Sequence, residues 1–100
     1  MEIRVHFATD LADLIDLGLK TATTRRNRLG KTGDTFSLRG RTYIITSISR
    51  KSLGIVANHY HGAEGFLTTI GFIIRWKSLY PKTGYHPLDK VWYHTFRRRK

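Results

Sequence analysis

The chain has 100 residues, 18 lysines and arginines against seven carboxylates, and no cysteine. That length suits one domain with one modest core, and the missing cysteines exclude a disulfide framework, a thiolate zinc site and a cysteine nucleophile. A formal net charge of +11 is far from the near-neutral balance of an ordinary small domain and asks for an anionic partner. The excess is uneven: residues 20 to 51 hold nine cations and one acid, Asp34, and the chain ends Arg97-Arg98-Arg99-Lys100.

In chain order, Ile3, Val5 and Phe7 alternate with Glu2, Arg4 and His6, which predicts a half-buried strand over residues 2–7. Nothing at this end reads as a signal peptide, and no stretch reaches membrane-spanning length, so a cytoplasmic protein, monomeric by default, is expected. Thr9 or Asp10 is placed to cap a helix carrying Leu11, Leu14 and Ile15 on one face and Asp10, Asp13 and Asp16 on a solvated one. Gly18 stops that helix, and a strand follows over Thr21–Arg25. Asn27 to Gly33 reads as a basic, glycine-punctuated loop. Strands are expected at Thr35–Leu38 and Thr42–Ile48 around a tight Arg39-Gly40-Arg41 turn.

A short helix is predicted over Ser52–Tyr60 despite Gly54, and a second from Thr68 through Leu79, apolar on more than one face and so deeply packed. Pro81, Gly84 and Pro87 mark a crossing to a last strand over Lys90–Phe96. Strands along the whole chain with helices inserted between them predict an α+β fold, a small curved sheet or barrel, as one domain over residues 1–96 with a basic tail over 97–100.

The segment Gly18-x-Lys20-x-x-Thr23-x-Arg25 resembles the G-x-K-x-x-T-x-R signature of the ASCH domain family, whose members are similar to PUA domains. Gly33-Asp34, Glu64-Gly65-Phe66 and Lys90-Val91-Trp92 resemble further blocks of that family in the same order. The resemblance implies a PUA-like barrel and two alternatives for function. One is a module binding RNA, another single-stranded nucleic acid or a nucleotide in a basic cleft floored by the signature. The other is an amidohydrolase deacylating N4-acetylcytidine-type nucleosides, with Lys20, Thr23 and Glu64 carrying catalysis. Ribonuclease activity stands third. In the hydrolytic reading nearby Arg25 and Arg26 destabilise the Lys20 ammonium, so that Lys20 activates the Thr23 hydroxyl, while Glu64 serves the leaving amine. Strict alternation places Lys20 opposite Thr23, so their pairing requires Lys20 to lie in the turn.

For a nucleic-acid partner the candidate contacts are Lys20, Arg25, Arg26, Arg28, Lys31, Arg39 and Arg41, with Tyr80 and Tyr85 as stacking platforms and Trp76 and Trp92 assigned to the core. His59-x-His61 lacks the further ligands of a metal site, so neither metal nor cofactor is expected. Gly30-Lys31-Thr32 fails as a P-loop because its first glycine would fall on Arg25.

Overall fold

A computed structural model describes residues 1–99. The elements run α1 (Thr9–Asp16), β1 (Ala22–Arg25), β2 (Thr35–Leu38), β3 (Arg41–Ser52), α2 (Leu53–His59), α3 (Thr69–Leu79) and β4 (Lys90–Arg98). The four strands form one antiparallel sheet in the order β1-β4-β3-β2, curled into a half-barrel. The α+β architecture with helices between strands is the one the sequence predicts.

Alternation along β4 divides the core between the two sides of the sheet. Val91 and Tyr93 join Ala22, Leu53, Val56, Phe72 and Trp76 under α2 and α3. Phe96 turns the other way, into Phe7, Ala12, Ile15, Phe36, Tyr43 and Ile45. The β2–β3 connection is the expected tight turn, with Arg39 and Gly40 both at positive φ (51° and 77°), as a two-residue hairpin loop of the primed type demands. Gly54 sits inside α2 because Pro87 packs against it: a Cβ there would come within 2.9 Å of the proline ring. Gly71, likewise inside a helix, donates its N–H to Thr68 Oγ1, the N-cap of α3.

Four expectations are corrected. Residues 2–7 form no strand: a single parallel bridge joins Glu2 to Thr35, although the alternation holds as burial, with Ile3, Val5 and Phe7 packed on the core. No side chain caps α1, whose N-cap is Ala8. β3 runs four residues past Ile48, because Arg50 and Lys51 lie over the rings of Trp92, Tyr60 and Tyr93 and their charge does not end the strand. α3 buries Phe72 and Trp76 but leaves Ile70 and Ile74 more than half exposed, so its second apolar face is not packed. Arg97 and Arg98 pair with Ile44 and Tyr43 as strand residues, while Lys100 lies outside the described residues.

Candidate functional site

Gly18 adopts a φ of +76°, and the N–H groups of Leu19 and Lys20 both turn back to the Leu14 carbonyl. Lys20 therefore lies in the turn before β1, yet its ammonium does not reach Thr23. Its side chain enters the protein and is 3% exposed. The Glu64 segment reaches it from the far side of the fold, because Thr21 and Ala22 both donate to the Ala63 carbonyl. Gly65 makes that approach possible: its φ is +96°, and a Cβ there would meet Leu14 at 2.9 Å and Lys20 at 3.3 Å.

Lys20 Nζ donates to Ala22 O at 2.7 Å, to Glu64 O at 3.1 Å and to Glu64 Oε1 at 3.3 Å. The other carboxylate oxygen, Oε2, accepts from Thr24 Oγ1 at 2.8 Å. Burial pushes the Lys20 ammonium below its ordinary value, Glu64 opposes the shift, and Arg25 adds to it. Three acceptors for three N–H groups describe a charged lysine that orients the glutamate.

Thr23, the other hydroxyl of β1, accepts from Arg25 Nε at 3.2 Å and shares no hydrogen bond with Lys20. Arg25 Nη2 donates to the His6 carbonyl at 2.7 Å, and its guanidinium carbon lies 5.1 Å from the Phe7 ring centroid. Burial lowers the Arg25 pKa, and no carboxylate pairs with it among the described residues.

These groups floor a pocket of about 260 Å³ walled by Phe66, Phe72, Trp76, Leu79 and Tyr80. On its rim Arg75 is gripped by both oxygens of Asp10, at 2.7 and 2.9 Å. The aspartate face of α1 is therefore not merely solvated, since it holds Arg75 through Asp10 and Arg39 through Asp13 and Asp16.

Of the expected contacts, Lys20, Thr23, Arg25, Glu64 and Tyr80 line this pocket. The others do not. Arg26 lies 5.5 Å over Trp76 and 5.2 Å over Tyr80 and pairs with Asp89, which fastens β1 to the α3 end. Arg28 stands over Trp92, and Lys31 is exposed in the turn before β2. Arg39 is held by α1, and Arg41 lines a separate hollow with Arg98 and Arg99. Tyr85 is half-buried against the core, where burial raises its pKa. Trp76 is core and pocket wall at once, whereas Trp92, assigned to the core, is only half-buried. His61 Nδ1 lies 2.8 Å from the Ala57 carbonyl, and no cluster of three metal-binding side chains occurs among the described residues.

Thr24 is the residue that the signature did not mark. Its signal was present in the alternation that sets Ala22 and Thr24 on the strand face opposite Thr23.

Behind the site, His94 is 1% exposed. Its Nδ1 lies 3.1 Å from Thr23 O and its Nε2 accepts from the Leu29 N–H at 2.9 Å. Only a neutral ring protonated on Nδ1 satisfies both partners. Burial, the largest cause, holds its pKa below the ordinary 6.5. The unfolded chain binds this proton first, so the stability contributed is complete above pH 6.5 and is lost as pH falls through the lowered folded value. Asp10, held low by Arg75, and Asp34, held low by the Lys31 N–H, add their losses only below 3.8. The melting temperature should therefore decline on acidification well before those carboxylates titrate. His94→Gln, which keeps a donor and an acceptor, should flatten that decline; an unchanged profile would assign it to other groups.

Solved structures show the same arrangement of elements. An ASCH domain from Lactobacillus crispatus JV V101 superposes with a TM-score of 0.71 at 14% identity, over 97% of this chain and 78% of that one. This chain has an ASCH fold. The hypothetical protein PH0355 matches with a TM-score of 0.74 at 16% identity, over 99% and 100% of the two chains. A Pyrococcus furiosus protein solved by NMR in solution gives 0.69 at 17% identity, over 100% and 99%. No protein-family model matches the chain, and no curated protein matches it. At these identities the likeness establishes the ASCH fold, and within that fold the pocket lies between β1 and α3. No helix among the described residues is long and apolar enough to cross a membrane.

Proposed function

We propose that the pocket binds a nucleotide, with the base against Phe66, Trp76 and Tyr80 and its polar edge on Thr23, Thr24 and Glu64. The observation that carries this reading is a small aromatic-walled pocket whose floor combines an acceptor, hydroxyls and an arginine without a carboxylate partner. At about 260 Å³ it lies just below the ~300–1,000 Å³ of pockets for drug-sized ligands, a scale suited to one base with part of its sugar. Arg25 supplies the charge for a phosphate. In calorimetric titration cytidine 5′-monophosphate should bind more tightly than cytidine. Arg25→Ala should remove that difference, and equal affinities in the parent protein would refute the phosphate assignment.

A second reading is favoured by one geometry, the Thr24–Glu64–Lys20 chain. A hydroxyl donating to a carboxylate that a buried cation orients has the layout of a nucleophile, its base and an orienting group. On an N4-acylated cytosine, Thr24 Oγ would attack the acyl carbon while Glu64 takes its proton and returns it to the departing amine. The cytosine amine leaves at this step, and water then cleaves the threonyl ester to give the carboxylic acid and restore the Thr24 hydroxyl. In this scheme Lys20 stays protonated, and Thr23 with Arg25 positions the substrate.

A further inference from the structure

Six of the seven carboxylates lie within 4 Å of a cation. Among the described residues none of these pairs involves Arg25, Arg28 or Arg50; Arg28 and Arg50 lie over the Trp92 ring, and Arg25, whose guanidinium faces Phe7, neighbours Trp92 on the next strand. The sheet register explains why. Trp92 is the Cα partner of Arg25 on β1 and of Arg50 on β3. Residues directly opposite in an antiparallel pair present their side chains on one face. Arg25, Trp92 and Arg50 therefore form a row across three strands, about 10 Å long at the usual strand spacing.

The Arg50 guanidinium lies 4.9 Å from the Trp92 ring centroid, and Arg28 reaches the same ring at 5.6 Å. Lys90, two residues along β4, shares the face by alternation. One end of the row is in the pocket, since Arg25 lines it, and the other end is exposed on β3. Like charges brought together without carboxylates are costly in the free protein, and an anionic chain laid over them relieves the repulsion. A partly exposed indole beneath two guanidinium groups offers such a chain both stacking and phosphate contacts.

We infer that this row seats the nucleotides flanking the one in the pocket, so that the pocket's ligand is one residue of a single-stranded polynucleotide and not a free nucleoside. The inference rests on the nucleotide reading of the pocket and adds the direction in which the strand leaves it, from β1 across β4 to β3. An anionic membrane would use the charge but would not require the indole.

The test compares a labelled single strand of about ten nucleotides, within the range of sites on small nucleic-acid-binding domains, with cytidine 5′-monophosphate. RNA and DNA versions of the strand identify which sugar is preferred. The strand should bind at least tenfold more tightly than the monophosphate. Arg28→Glu with Arg50→Glu should abolish that advantage, reduce the salt slope by about 1.4 for two lost phosphate contacts, and leave the monophosphate affinity unchanged. Lys77→Glu with Lys82→Glu makes the same change in charge elsewhere and should cost less. Trp92→Leu, with its folding checked by melting, should weaken the strand roughly 5- to 150-fold through lost stacking.

Equal losses in the two charge-reversed proteins would overturn the row. So would a strand no tighter than the monophosphate, or anionic vesicles binding while the strand does not. A strand that binds through Arg28 and Arg50 while the monophosphate fails to bind would instead refute the pocket reading.

Discussion

Thr24→Val is expected to abolish deacylation of N4-acetylcytidine, while Thr23→Val changes it by no more than a few fold. The two hydroxyls are neighbours on β1 with different partners: Thr24 donates to Glu64 and Thr23 accepts from Arg25. Only the first has a base in reach of its proton. General-base assistance contributes typically 10²–10⁴-fold, so Glu64→Gln should lose about that factor and Thr24→Val at least as much. Valine at position 24 also leaves Glu64 Oε2 without its hydroxyl, at a cost of about 1–3 kcal/mol. Release of cytidine is therefore followed well below the melting temperature of each variant. If Thr23→Val inactivates and Thr24→Val does not, the nucleophile is Thr23 and the strand must rearrange when substrate binds. If the parent protein releases no cytidine, the hydrolytic reading is finished and nucleotide binding stands alone.

The second large effect concerns stability. The Lys20 and Glu64 side chains are 2% and 5% exposed, so each charge depends on the other for compensation. Breaking a buried ion pair from one side costs about 3–5 kcal/mol, because the remaining charge is left in a medium that solvates it poorly. In a domain of this size each kcal/mol corresponds to roughly 4–8 °C in Tm, so Glu64→Leu should lower Tm by at least about 12 °C. Lys20→Met should cost as much or more, since Ala22 O and Glu64 O lose a donor as well. The double variant should be more stable than the sum of the single losses implies, with a coupling of about 2 kcal/mol or more. A Glu64→Leu protein that melts at or above the parent temperature would show that Lys20 sheds its charge at little cost, and would remove the ammonium from the mechanism.

How far the sequence discloses this fold depends on the range of the interaction. The helix stop at Gly18, the Arg39-Gly40 turn and the alternation of β4 are local consequences of backbone freedom and side-chain size, and each occurs where the residues place it. Ile3, Val5 and Phe7 show the limit of such reasoning. Their alternation reports which side is buried, but strand pairing needs a partner backbone along the whole segment, and only the Glu2–Thr35 bridge is present.

The site divides in the same way. Lys20 and Glu64 stand out by motif and by composition, and the structure joins them across 44 positions. Arg39 and Arg26 read as free cations in the sequence, yet Asp13, Asp16 and Asp89 hold them through contacts that no spacing rule connects. These two cations are thus engaged within the fold, although the sequence presents them as available. The residues left without carboxylate partners at Trp92 became visible only with the strand register.

The most direct measurement is titration of isotopically labelled protein with cytidine 5′-monophosphate, followed amide by amide by NMR. The pocket predicts its largest shifts at Thr23, Thr24, Arg25 and Gly65 and at the indole N–H of Trp76, with little change at Arg41, Arg98 and Arg99. Shifts concentrated at those three arginines, with Thr24 and Gly65 unmoved, would contradict it and place the anion site on the opposite end of β4.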